Sequence, residues 1–277
     1  MKIGFSTLAC PSWSLAAAIE HAHALGFDGI ELRFIDNSDR LWELPELRGS
    51  GLKETRDRLA SLGLEILCVD TSCFFHYTEE SQRLESLQMG RAMVELAAAL
   101  GAPGIRVFGD RVQPGADFSS TAAWVADGIH RLAEFAQPAG VGVWLESHGA
   151  FACARETMSV LRAAACSNAG VVWDPLNAYS EFGEEPAAGW RQLEGSARHV
   201  HIKDAVRLHG SSPSEPWEPV MVGDGDFPAL AVIHLLRQEG YRRFISFEWE
   251  KRWHPLIPDA EIALPQFMRW MRAAMEA

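Results

Sequence analysis

The sequence predicts an α/β fold, a (β/α)8 TIM barrel, on three observations. Short apolar runs alternate about eight times with longer helix-like stretches, glycines punctuate the passage from helix to strand, and no glycine-rich phosphate loop follows the first run. Strands are expected at Lys2 to Ser6, Gly29 to Arg33, Glu65 to Val69, Gly104 to Phe108, Val141 to Glu146, Gly170 to Asp174, His199 to Lys203 and Phe244 to Glu248. Between and after them the helix candidates are Ser14 to Leu25, Gly51 to Leu62, Glu80 to Leu100, Ser119 to Ala136, Arg155 to Ala165, Gly189 to Gly195, Pro228 to Glu239 and Asp259 to Met275. Such alternation implies a parallel sheet. Gly26, Gly63, Gly101, Gly140, Gly170 and Gly240 stand where a left-handed residue would close a helix. An open doubly wound sheet carries a Gly-rich turn after its first strand; here the turn reads STLACPSW, so the eight units are expected to close.

With 277 residues and 48% hydrophobic content, the chain suits one such barrel, and a single domain over residues 1–277 is expected. A formal net charge of -12 argues against a nucleic-acid partner or an anionic membrane surface. Five cysteines, an odd number with no C-x-x-C pair, suggest neither a disulfide framework nor a zinc knuckle and fit the reducing cytosol. The opening MKIGFSTLAC has no signal-peptide apolar region, and no apolar stretch is long enough to span a bilayer, so a cytoplasmic protein is expected.

Side-chain parity singles out a site. Residues two apart on a strand share a face. Val141, Val143 and Leu145 suit packing against helices, which turns Gly142, Trp144 and Glu146 into the barrel. Likewise Ile245 and Phe247 leave Ser246 and Glu248 inward, Val200 and Ile202 leave His199, His201 and Lys203 inward, and Val171 and Trp173 oppose Val172 and Asp174. Glu146 in VWLESHG, Asp174 in VVWDPLN, His201 in RHVHIKD and Glu248 in ISFEWE thus converge at the carboxyl ends of their strands, where such barrels do their chemistry. Three carboxylates meeting without a cation would repel one another, so a bound divalent metal is expected. Oxygen-rich ligands favour Mn²⁺, Mg²⁺ or Co²⁺, with Zn²⁺ also admissible.

The set LESHG, WDPLN, HVHIKD and FEWE, with the GDGDF loop at Gly223 to Phe227, resembles the sugar phosphate isomerase/epimerase superfamily of xylose isomerase-like barrels. That group includes ketose 3-epimerases, inosose dehydratases and endonuclease IV-type enzymes. The resemblance implies one divalent ion held by Glu146, Asp174, His201 and Glu248, with Glu146 and Glu248 as the pair that moves a proton. The implied activity is a sugar isomerase or epimerase acting on a ketose or sugar phosphate, with a proton removed α to a carbonyl and an enediolate stabilised by the ion. An inosose dehydratase-like lyase would use the same groups and then expel a β-hydroxyl. An endonuclease IV-type phosphodiesterase would need an Asp-x-His before the Gly-rich loop, where this chain has Trp217, Glu218 and Pro219. A non-catalytic sugar-binding barrel is the remaining alternative. The expected partner is a small sugar or polyol-derived ketone.

Further candidates surround these four. His148, with the parity of Glu146, is a candidate for a substrate oxygen or simply a loop histidine. Asn177 stands three residues after Asp174, where several relatives carry a histidine. Lys203 and Arg207 could hold a substrate oxyanion, though Lys203 equally suits an ion pair with Asp204 or Glu248. Glu31, Arg33 and Arg106 end earlier strands and are expected in an inner ion network, Arg106 with some part in binding. Trp13, Trp42, Phe74, Phe75 and Trp253, with His76 and His254, fall in loops at the site end, where rings suit sugar C–H faces. Asp226 is expected to cap the helix after it. Phosphate specificity, if any, would reside between Arg207 and Pro228, and Trp253, Leu256 and Ile257 form a candidate homo-oligomer face.

Overall fold

The computed structural model describes residues 1–193, 195–208 and 217–276. Its parallel strands are β1 (Lys2–Ser6), β2 (Gly29–Leu32), β3 (Glu65–Phe74), β4 (Gly104–Phe108), β5 (Gly142–Glu146), β6 (Ala169–Trp173) and β7 (Ala197–Ile202). After β7 come two strands of an antiparallel pair, β8 (Asp204–Arg207) and β9 (Trp217–Val220), and then β10 (Phe244–Phe247), which closes the barrel. The order around the barrel is β1-β10-β7-β6-β5-β4-β3-β2. The helices are α1 (Leu15–Leu25), α2 (Gly49–Leu62), α3 (Glu80–Leu100), α4 (Phe118–Ala136), α5 (Ala154–Ala164), α6 (Pro175–Phe182), α7 (Pro186–Leu193), α8 (Ala229–Gln238) and α9 (Ala260–Glu276). The eight-strand barrel is therefore the fold the sequence predicts.

The parity reading is visible in the packing. Val143, Leu145, Val171, Trp173, Val200, Ile202, Ile245 and Phe247 all join the core between strands and helices, whereas Cys68, Trp144 and Val172 form a separate apolar cluster inside the barrel. Trp144 fits because its own strand and the adjacent β4 offer glycine: a Cβ on Gly142 would lie 2.2 Å from its Nε1 and one on Gly104 2.5 Å from its Cε2. This ring plugs the amino-terminal end and leaves polar side chains to fill the other.

Several local expectations need correction. Gly26, Gly63, Gly101, Gly140 and Gly240 do adopt positive φ, but Gly170 lies inside β6, and the left-handed residue ending α5 is Ala165, with φ 54°. The helix expected from Gly189 begins earlier, at Pro186. Asp226 does not cap α8, whose N-cap is Pro228; its carboxylate instead accepts the Arg207 backbone N–H at 2.8 Å. Part of the stretch considered for phosphate, residues 209–216, lies outside the described residues. Trp253 is 54% and Leu256 98% exposed, while Ile257 is half-buried against the core. Among the described residues, no helix is long and apolar enough to cross a membrane.

Candidate active site

Each of the four central residues is delivered by a strand end. Glu146 closes β5, His201 lies in β7, Glu248 follows β10, and Asp174 sits one residue past β6 as the N-cap of α6. Asp174 Oδ1 accepts the backbone N–H groups of Leu176 at 3.0 Å and Asn177 at 3.3 Å, which aims the carboxylate. One ligand atom from each of the four lies within 4.8 Å of all the others, and all four residues are buried.

One atom in this cluster, His201 Nδ1, has no hydrogen-bond partner, and Asp174 Oδ2 has only the Lys203 ammonium, 2.8 Å away, as its ion-pair partner. His201 Nε2 is engaged, 2.9 Å from Glu31 Oε1, so Nδ1 faces Glu248 Oε1 at 3.4 Å and Glu146 Oε1 at 3.9 Å. Buried polar atoms are normally partnered. Three carboxylates converging on an unpartnered imidazole nitrogen fit a hard or borderline divalent cation. A second group of possible metal ligands, Glu31, His199 and His201, lies beside it, but there the carboxylate already bonds both rings.

Charge is arranged in alternation. Lys203 Nζ lies 2.8 Å from Asp174 Oδ2, 2.8 Å from Glu248 Oε2 and 2.6 Å from Glu250 Oε1. Arg106 bridges Glu146 and Asp70, the latter at 3.3 Å. Burial raises Asp174 to about 6, partly offset by Lys203. Burial also opposes the charge on Glu248, but Lys203 and His201 outweigh it and hold that carboxyl well below the usual range. Burial disfavours imidazolium at His201, yet Glu31 and Glu248 push it well above the ordinary value.

The remaining sequence candidates divide. Lys203 and Arg106 touch the cluster directly. His148 Nδ1 lies 3.0 Å from Asp110 Oδ1, and this hydrogen bond overcomes the burial penalty to raise His148 to about 8. Asn177 Nδ2 donates to Ser147 O at 3.0 Å, beside the cluster. Arg207 is not brought there: its side chain is exposed on the β8–β9 hairpin, because the strand leaves the barrel after Lys203. Glu31 is in an ion network, as expected, but one that ends on a candidate ligand. Asp70, Asp110, His199 and Glu250 were given no part by the sequence reading. Glu250 shares the parity of Glu248 and was legible; Asp110, in a loop at φ 61°, was not.

Two cavities open beside the cluster. One of about 130 Å³ is lined by Asn177, Lys203, Trp217, Glu248, Glu250 and His254 among others, and one of about 330 Å³ by Arg33, Arg106, Glu146, His148 and Glu248 among others. Phe74 and Phe108, stacked at 4.9 Å, form part of the second wall. A larger cavity of about 850 Å³ lies by the strand starts, near Lys2, Glu65 and Phe244, away from the ionisable cluster. Position at the carboxyl ends, not volume, identifies the site.

A closed parallel barrel with ionisable groups meeting at its carboxyl mouth defines a class, and the comparisons place the chain within it. The family model described as xylose isomerase-like TIM barrel matches residues 19–274, and the chain belongs to that family. No curated protein matches it in sequence. Among solved structures, the probable 3-DHS dehydratase AsbF from Bacillus anthracis is similar at TM-score 0.80 and 18% identity, over 98% of this chain and 99% of that one. The 3-keto-D-glucoside 4-epimerase YcjR from E. coli gives 0.77 and 17%, covering both chains fully at 100%. The IOLI protein with a binding zinc atom gives 0.81 and 19%, over 99% and 98%. At these identities the likeness is one of fold.

Proposed function

We propose that this protein is a divalent-metal-dependent isomerase or epimerase of a small sugar, a ketose or sugar phosphate, that moves a proton α to a carbonyl through an enediolate. The observation that carries the reading is the convergence of Glu146, Asp174 and Glu248 on the unpartnered His201 Nδ1. These four residues would hold one ion, Mn²⁺, Mg²⁺ or Co²⁺ by the oxygen-rich donor set, with Zn²⁺ admissible. When bound, the ion supplies Lewis-acid stabilisation of negative charge developing on the substrate. Glu146 and Glu248 remove and return the proton. Arg106 beside Glu146 and Lys203 beside Glu248 keep each carboxylate oriented. His148 and Asn177 border the space for substrate oxygens, a part the exposed Arg207 does not share.

One observation favours a second reading, the inosose dehydratase-like lyase: His148, held by Asp110 at 3.0 Å, lines the same cavity as Glu146 and Glu248 and is placed to give a proton to a departing β-hydroxyl. Acidic charge and five free cysteines support a cytoplasmic protein without nucleic-acid or membrane partners, and exposed Trp253 and Leu256 support a homo-oligomer face. The test is proton NMR in D₂O with Mn²⁺ or Mg²⁺ and a panel of ketoses, inososes and their phosphates, against an EDTA control. Metal-dependent loss of an α C–H signal is expected, and the product separates epimer, aldose and dehydrated ketone. Bound metal with no exchange across the panel would favour a sugar-binding barrel.

A further inference from the structure

Arg33, the residue after β2, is 5% exposed and lines the 330 Å³ cavity together with Glu146 and Glu248. Its Nη2 donates to Ser72 Oγ at 2.9 Å. Its Nη1 is buried without a hydrogen-bond partner, and the carboxylate oxygen it approaches, Asp39 Oδ2, is 3.9 Å away and already accepts from Ser72 at 2.8 Å. The other cations of the mouth are differently placed. Lys203 meets three carboxylates, Arg106 pairs both its terminal nitrogens with carboxylates although its Nε too lacks a partner, and Arg111 is 69% exposed and bound to Asp110. The Asp39 ion pair is long and gives Nη1 no hydrogen bond, and a buried guanidinium N–H without an acceptor is costly unless one is supplied. Burial and the nearby Arg106 pull Arg33 down to about 10, which still leaves it fully charged at neutral pH.

We propose that the substrate is a ketone that itself bears an oxyanion, a carboxylate or a phosphate, and that Arg33 receives this group while the carbonyl end faces Glu146 and Glu248. The inference rests on the proposed enolisation and adds the substrate's charge to it. The guanidinium fork matches either oxyanion. Leu8, Phe74, Phe108 and Trp253 line the same cavity and offer apolar surface to the carbon skeleton between the two ends.

Calorimetric titration of the Mn²⁺-loaded protein with D-fructose, 5-keto-D-gluconate and D-fructose 6-phosphate tests this, since the three are ketoses with no charge, a carboxylate and a phosphate. At least one anionic ketose should bind about 10- to 100-fold tighter than fructose, the range of a charge-assisted bond. The anionic-to-neutral ratio should fall to about one in Arg33→Met and in Arg33→Gln, and Arg33→Lys should restore only part of it. Whichever anion shows the preference identifies the source. Equal affinities in the parent, or a preference that survives both charge-removing variants, would overturn the proposal. Proton exchange in D₂O on the same samples separates the two levels: exchange of fructose without anion preference keeps the enolisation and removes the oxyanion. An Arg33-dependent preference without exchange of any ketose does the reverse.

Discussion

Glu31 Oε1 lies 2.9 Å from Nε2 of His201, 170 positions further along the chain, and its other oxygen bonds His199. Burial opposes charge on Glu31, but the two imidazoles hold its carboxyl well below the ordinary range. Because the carboxylate holds the proton on Nε2, an ion that displaces the other proton would meet the lone pair on Nδ1, the atom that faces Glu146 and Glu248. Glu31→Gln should keep the barrel intact and weaken Mn²⁺ binding by about 10- to 100-fold, the usual effect of losing such an outer partner. Calorimetry beside a thermal melt checks both halves, and undiminished affinity would remove Glu31 from this role.

Lys203 stands where the carboxylates are densest. Its replacement by Met would leave Asp174, Glu248 and Glu250 facing one another, and a broken buried pair costs about 3–5 kcal/mol. Denaturant unfolding in EDTA should show a loss of that order. Excess Mn²⁺ should recover part of it, so the gain from metal is larger in Lys203→Met than in the parent. Equal gains in both would mean that lysine and metal do not share the same negative charge.

The barrel was legible because its signals are local. Strand parity needs only neighbours two residues apart, and it placed Glu146, His201 and Glu248 inward without knowledge of any contact. Asp174 shows a signal that was present and unused: an Asp directly before Pro175 marks a helix start, and α6 begins there. What escaped was non-local. The Glu31–His201 bond, the three partners of Lys203 and the unpartnered Nη1 of Arg33 depend on how distant strands meet. Arg207 was misplaced for the same reason, since nothing nearby in sequence announces that the chain leaves the barrel after Lys203.

Asp110 adopts φ 61° and gathers Arg111 Nε at 2.7 Å, His148 Nδ1 at 3.0 Å and the Ala150 backbone N–H on its carbonyl at 2.6 Å. Burial would raise its carboxyl, but the His148 and Arg111 hydrogen bonds outweigh that and lower it to about 2. A depressed carboxyl stabilises the fold fully above its ordinary value near 3.8 and loses that contribution as pH falls toward 2. Asp110→Asn, whose side chain tolerates the left-handed backbone, should cost about 2 kcal/mol at pH 7 and flatten the acid limb between these values. Urea unfolding at pH 7 and pH 3 measures this; a parent-like acid limb in the variant would show that Asp110 is not the titrating group.

Glu146 and Glu248 meet the same His201 nitrogen, yet each has its own cation, Arg106 for one and Lys203 for the other. Two separately held carboxylates suit a reaction that serves both faces of a carbon. If so, Glu248→Gln leaves Glu146 able to remove and return a proton on its own face. Proton NMR in D₂O, begun separately from each epimer, should then show exchange without inversion from one epimer and none from the other, with the pattern reversed in Glu146→Gln. Epimerisation itself should fall at least about 100-fold in both. A single-base aldose–ketose isomerase would behave differently: one variant would be silent toward every substrate while the other kept exchanging. Silence of both variants toward both epimers, with metal still bound, would leave these glutamates as ligands and send the search for the base to His148.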